Sequence, residues 1–163
     1  MSKMSGISVT GGALSVAEVV KVAREYEKVT LDPGAREHVA RRRDIINSKA
    51  ADPQAHYGVS TGFGALATTF VSTDRRRQLQ LSLIRSHAAG TGAEVDTEVV
   101  RALMLLRLRT LMTGHTGVRP EVCDLYAAML NHRVTPVVHE FGSLGCSGDL
   151  APLAHVALVA MGE

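Results

Sequence analysis

Between Val99 and Met112 the chain reads Val-Val-Arg-Ala-Leu-Met-Leu-Leu-Arg-Leu-Arg-Thr-Leu-Met, apolar on nearly every helical face except at Arg101, Arg107 and Arg109. A helix at a protein surface has one apolar stripe, whereas one that is apolar all round has to be enclosed by other elements. The three arginines argue against a membrane span, which needs about 20 nearly uncharged apolar residues. This run therefore demands further helices to cover it. Asp96 stands where its N-cap is expected, and its end is expected near Thr113.

The remaining pattern supplies those helices. Ser15 followed by Glu18 is a capping box, and Val16, Val19, Val20 and Ala23 share one face, which predicts a helix from Val16 to Glu27. A short strand at Ile7 to Val9 precedes it. Asp32 and Pro33 read as cap and first residue of a second helix, with Val39, Ile45 and Ile46 inward and Arg41, Arg42 and Arg43 on the other face. A third runs from Thr73 to Ala88 on Leu79, Leu83 and Ile84, with His87 in its last turn and Gly90 and Gly92 ending it. Pro120 opens another with Val122, Leu125, Tyr126, Met129 and Leu130 at amphipathic spacing, closing near 131–133. An extended stretch around Val134 to Val138 follows, and then an apolar run from Leu150 to Met161, with Asp149 as N-cap and Pro152 in the first turn.

The expected fold is mainly α with a few short strands. Residues 1–113 read as a mixed, mostly helical segment, and residues 114–163 as the start of a helical core, with no repeat or linker between them.

At 163 residues and 45% hydrophobic content the chain can build the core of one domain. A formal charge of +2 gives no strong case for nucleic acid, and Arg41 to Arg43 and Arg75 to Arg77 read as solvated helix faces. Cys123 and Cys146 form no Cys-x-x-Cys pair, so neither a disulfide framework nor a zinc ribbon is indicated, and a reducing, cytoplasmic setting is expected. No secretory or membrane segment is apparent. His139-Glu140 begins like a zinc-protease motif, but Ser143 stands where the second histidine ligand belongs, so no metal is expected.

Periodicity fails in two places. Between Asp52 and Thr69, Gly58, Gly62 and Gly64 mark an ordered loop with special backbone angles. Taken alone it is a glycine-rich turn carrying Tyr57; it is not a phosphate loop, because no Lys-Ser or Lys-Thr follows the glycines. The second place is Gly142 to Gly148, which alone reads as a turn ahead of a helix cap.

Gly145-Cys146-Ser147-Gly148-Asp149-Leu150-Ala151-Pro152-Leu153-Ala154-His155 resembles the Ala-Ser-Gly-Asp-Leu-Ala-Pro-Leu signature of the aromatic amino-acid ammonia-lyases and aminomutases. Tyr57-Gly58-Val59-Ser60-Thr61-Gly62-Phe63-Gly64 is similar to that family's Tyr-Gly-x-x-Thr-Gly-Phe-Gly loop, and Ser86-His87-Ala88-Ala89-Gly90 to its substrate-ring segment. Gln78-Leu79-Gln80, Leu105-Leu106-Arg107 and Gly117-Val118-Arg119-Pro120-Glu121 also match, so the resemblance runs from about Leu14 to the C-terminus. Arg109 and His115-Thr116 depart from the family pattern, as does Cys146, which replaces the commoner Ala.

The resemblance implies a methylidene-imidazolone prosthetic group formed autocatalytically from Cys146, Ser147 and Gly148, with no external cofactor. In the family the glycine nitrogen attacks the carbonyl carbon two residues earlier, and loss of two waters turns the serine into a methylidene. Ser147 has the leaving hydroxyl, Gly148 lacks a hindering side chain, and Cys146 contributes only its carbonyl, so its side chain is compatible with the cyclisation.

The resemblance further implies Tyr57 as the base for the substrate β-proton, and Gly64 and His87 as substrate-binding residues. The histidine at 87 favours L-histidine, eliminated to trans-urocanate in histidine catabolism, with tyrosine ammonia-lyase or aminomutase chemistry as the alternative. Capture of the substrate through its amine or through its ring both stay open. Family members form homotetramers whose active sites draw on more than one subunit, and extend well beyond 163 residues. This chain alone is therefore expected to be inactive, with Ser147 uncyclised. A non-catalytic helical binding or self-association module is the competing class.

Overall fold

The computed structural model describes residues 6–145 and 148–163. Its centre is α4 (Thr97–Met112), which buries Val100, Arg101, Met104, Leu105, Leu108, Leu111 and Met112. Packed on it are α1 (Val16–Arg24), α2 (Pro33–Ala51) and α5 (Pro120–Asn131). Val22, Val39, Cys123, Tyr126 and Leu130 complete the core from those neighbours. Val99 and Leu106 remain 52% and 48% exposed, so the described chain encloses α4 on most sides but not all.

Local chemistry sets the elements much as expected. The Ser15 hydroxyl accepts from the Glu18 N–H at 3.2 Å while Glu18 accepts from the Ser15 N–H at 2.7 Å, the reciprocal pair of a capping box. Asp32 accepts from the Ala35 N–H at 2.8 Å, with Pro33 as the first residue of α2. Helix α1 stops at Arg24 rather than Glu27 because the backbone turns left-handed at Tyr26, φ 57°, and the Glu27 N–H returns to the Lys21 carbonyl.

Two small sheets frame the helices. Strand β1 (Ile7–Val9) pairs in parallel with β2 (Val29–Leu31), Ile7 opposite Val29. The Asn131 amide, at the end of α5, grips β2 through both its groups: it donates to the Val29 carbonyl and accepts from the Val29 N–H, each at 2.8 Å. Strand β3 (Thr91–Glu94) pairs antiparallel with β4 (His139–Phe141). The extended stretch expected at Val134 to Val138 thus becomes a strand only from His139, although the Val138 carbonyl already accepts from the Val95 N–H at 2.8 Å. Helix α3 (Thr73–His87) packs on α6 (Leu150–Met161).

Some residues take other places than the pattern suggests. Ile45 is 45% exposed, and Leu125 faces outward while Cys123 takes the core position. Burial pushes the Cys123 thiol up to about 11, so it remains an inert, protonated core group. Arg43 and Arg76 leave the solvated faces: Arg43 donates to the Gly117 carbonyl at 3.3 Å, and Arg76 to the Ala50 carbonyl at 2.6 Å and the Val71 carbonyl at 3.0 Å. Among the described residues no helix is long and apolar enough to cross a membrane.

Candidate functional site

The loop after α2 is built around two buried hydroxyls. Ser60 accepts from the His56 N–H at 2.9 Å and donates to the Gln54 carbonyl at 3.3 Å. Thr61 accepts from the Gly58 N–H at 3.2 Å and donates to the Gly62 carbonyl at 3.0 Å. The returning chain closes on them, with the Gly62 N–H on the Thr69 carbonyl and the Val71 N–H on the Ser60 carbonyl. Tyr57 stands on this platform, 65% exposed, its ring edge-on to Phe63 at 5.9 Å between centroids.

Gly64, φ 55°, opens the 3₁₀ turn Gly64–Leu66 with open space beside its α-carbon. Behind the loop the His56 ring meets the Asp52 carboxylate at 3.1 Å. The Gln54 N–H, followed by His56, holds that carboxyl below its ordinary range. Motif reading singled out Tyr57 and Gly64 and missed the supporting Ser60 and Thr61; hydroxyls set among glycines were the available signal.

His87 closes α3. Its Nδ1 lies 2.8 Å from the Leu83 carbonyl, which can only accept, so Nδ1 carries the proton and Nε2 is left as an acceptor. The next residue, Ala88, has φ −77° and ψ 62°, and the Ala89 N–H donates to the His87 carbonyl at 2.8 Å; this is an inverse γ-turn that takes the chain sharply off the helix.

The third segment leads into α6. Cys146 and Ser147 lie outside the described residues. Gly148 follows them at φ 93°, a backbone region L-residues avoid, with no atom of the described residues within 4 Å of where a Cβ would sit. A residue with no side chain, held at this φ, fits the tight turn that a cyclising tripeptide needs. Asp149 occupies the N-cap position of α6 but does not cap it as expected: its carboxylate takes the Ser143 hydroxyl instead, and α6 begins with the Leu153 N–H on the Asp149 carbonyl at 3.2 Å.

Two of the three segments are brought together. The Gly90 N–H donates to His155 Nε2 of α6 at 3.0 Å, and the Gly90 α-carbon lies 3.3 Å from where a Gly142 Cβ would be. The same Gly142 position faces the Ala151 side chain at 3.0 Å, so Gly90, Gly142 and α6 meet without room for a side chain between them. Pairing of β3 with β4 and an ion pair between Arg85 and Glu163 flank this contact. Tyr57 is not drawn in: among the described residues no hydrogen bond joins its loop to residues 142–145 or 148. Nor do three His, Cys, Asp or Glu side chains converge as a metal site among the described residues.

The chain as a whole is similar to known proteins. The family model for aromatic amino acid lyases matches residues 14–163. A histidine ammonia-lyase of Streptomyces griseus is 55% identical over 98% of this chain, which corresponds to 31% of that protein. Among solved structures, a tyrosine aminomutase of Streptomyces globisporus superposes with a TM-score of 0.88 at 37% identity, covering 94% of this chain and 28% of that one. The ergothioneine-degrading enzyme ergothionase of Treponema denticola gives 0.91 at 32% identity, covering 94% and 31%. The chain thus spans about a third of the length of the curated relatives it matches. With its three motifs in order and the family model matched over nearly its whole length, the chain belongs to the aromatic amino acid lyase family.

Proposed function

We propose that this chain is the N-terminal part of a histidine ammonia-lyase, which eliminates ammonia from L-histidine to give trans-urocanate. The observation that carries the substrate choice is His87. Its proton is committed to Leu83, and its free Nε2 is an acceptor suited to the N–H of an imidazole ring, on a segment tied to the helix that follows the tripeptide. The 55% identity to the Streptomyces griseus histidine ammonia-lyase supports the same choice.

The prosthetic group would be held by Cys146, Ser147 and Gly148, and it supplies an electrophile that withdraws electrons from the bound amino acid. The chain's own residues do the rest. Gly148 brings no side chain to hinder the cyclisation, and α6 behind it contributes the positive end of a helix dipole. Tyr57 removes the β-proton, for which its phenol has to be held as phenolate once the remainder of the enzyme encloses it. His87 orients the substrate ring, and Gly64 lines the substrate cavity.

The working enzyme is a homotetramer of longer chains, and the 163-residue chain alone is inactive. Full-length protein mixed with L-histidine should develop the ultraviolet absorbance of urocanate. Release of coumarate from L-tyrosine in its place would move the assignment to the tyrosine branch.

A further inference from the structure

His155 lies on α6, two helical turns beyond Gly148, and the elimination just described leaves it without a role. Its surroundings are specific. Nε2 accepts the Gly90 N–H at 3.0 Å, and a Cβ on Gly90 would stand 2.9 Å from that nitrogen and 3.3 Å from both the His139 Cβ and the Phe141 carbonyl. Only a glycine lets the backbone come this close. His139 stacks edge-on to His155 at 5.7 Å, while its own Nδ1 lies 3.0 Å from the Gly92 carbonyl, so both ends of the Gly90–Gly92 segment are held by a histidine.

Between the held Gly90 and His87 there are two residues, and the inverse γ-turn at Ala88 leaves them little freedom. Whatever fixes Gly90 therefore fixes the end of α3. We propose that His155 is a positioning residue for substrate recognition: its Nε2 clamps the Gly90 amide and so sets His87 relative to the tripeptide-bearing end of α6. This rests on the assignment of His87 to the substrate ring. The hydrogen bond itself does not depend on that assignment, which allows the two to be tested apart.

A residue that only sets the ring contact acts on ground state and transition state alike, so its loss raises KM and spares kcat. Replacement is graded by reach. In His155→Gln the side-chain oxygen occupies the place of Nε2 and can accept from Gly90; in His155→Asn it falls one bond short, and in His155→Leu there is no acceptor.

In the full-length enzyme, His155→Leu and His155→Asn should raise KM for L-histidine about tenfold, the size of one lost hydrogen bond, with kcat within about twofold. His155→Gln should restore KM. Hydrogen exchange followed by mass spectrometry reads the clamp without any activity: the peptide containing residues 88–92 should exchange faster in the Leu and Asn variants and stay protected in the Gln variant.

Equal protection in all four proteins overturns the clamp, and so does a loss confined to kcat or a Gln variant as impaired as Asn. If His155→Leu fails to fold, the Asn and Gln pair decides alone. If wild-type enzyme ignores histidine, the substrate assignment fails and the exchange comparison still judges the clamp.

Discussion

The Arg101 guanidinium lies over the Tyr26 ring, 4.3 Å from its centroid, although Arg101 sits in the middle of the most apolar helix of the chain. Tyr26 is in the left-handed region, and that turn brings its ring beneath the cation. The same guanidinium donates to the Val22 carbonyl at 2.8 Å and to the Leu130 carbonyl at 3.1 Å. Both carbonyls belong to the last turns of α1 and α5, where helices leave acceptors unpaired and carry partial negative charge. Burial pushes the Arg101 guanidinium down and the Tyr26 ring offsets this, so the charge is held by carbonyl oxygens and a ring face and has no carboxylate partner among the described residues.

Replacing Arg101 with Met keeps much of the volume but strips the Val22 carbonyl of its guanidinium donors, while the Leu130 carbonyl keeps the Arg133 N–H at 3.3 Å. Arg101→Met should lower unfolding free energy by about 3 kcal/mol in urea titration. Arg24→Ala, which breaks the solvent-exposed pair with Glu98, should cost far less than Arg101→Met. Equal losses would mean that Arg101 is not the tie between the two helices.

The Tyr57 ring packs edge-on against Phe63, a contact that a phenylalanine would keep. Tyr57→Phe should leave the thermal midpoint of the chain within a degree or two, while lowering kcat of the full-length enzyme by about 100- to 10,000-fold. Thr61→Val should behave oppositely: the buried hydroxyl is lost from the Gly58 and Gly62 contacts, and stability falls by about 1 to 3 kcal/mol.

The His155 contact has a pH signature. Burial first and the charge of a protonated His139 second lower its pKa from the ordinary 6.5, and the neutral ring is the form that accepts from the Gly90 N–H. A lowered folded value means that stability is fully present above the unfolded value of about 6.5 and is lost as pH falls through the lower folded value. The groups facing this region are His139 on β4 and the Arg85–Glu163 pair between α3 and α6. Arg85 holds the Glu163 carboxyl below 4.5, so its contribution disappears at lower pH and the two windows separate. Urea midpoints should fall as pH drops below about 6.5 in the wild-type chain, and less steeply in His155→Gln.

How far the sequence led depends on where each signal was stored. The capping box at Ser15 and the Asp32-Pro33 start are local, so they appear in the structure as read. Strand β3 was invisible: Thr91-Gly92-Ala93-Glu94 has little β propensity and is exposed throughout, and its partner Phe141 lies far along the chain. Asp149 stands at the N-cap position as read, but its side chain makes no cap hydrogen bond because Ser143 competes for its carboxylate. Ile45 and Leu125 lie at the edges of their apolar stripes, where periodicity cannot tell the last buried position from the first exposed one.

Motif reading singled out the tripeptide, Tyr57 and His87 as candidates, but their support could not be read from it. Ser60, Thr61, Gly90 and His155 become meaningful only once the chain has closed on them.

The chain on its own leaves Leu144 at 88% exposure beside the tripeptide, with Phe141, Leu150 and Tyr57 also exposed. The proposed cyclisation at Ser147 would require a dry, preorganised setting, and the neighbouring described residues are exposed instead. Intact mass spectrometry of the 163-residue chain should give the unmodified sequence mass, and light scattering should report self-association that grows with concentration. A mass lower by two waters would mean that the N-terminal segment matures unaided.

The most direct measurement takes the full-length enzyme through the same mass determination, together with histidine turnover, in wild type and in Ser147→Ala. Wild type should be lighter than its sequence by two waters and should produce urocanate, and Ser147→Ala should lose both together. Urocanate formed at undiminished rate by Ser147→Ala, or by wild type at its full sequence mass, would contradict the assignment of Cys146, Ser147 and Gly148 as the source of the electrophile.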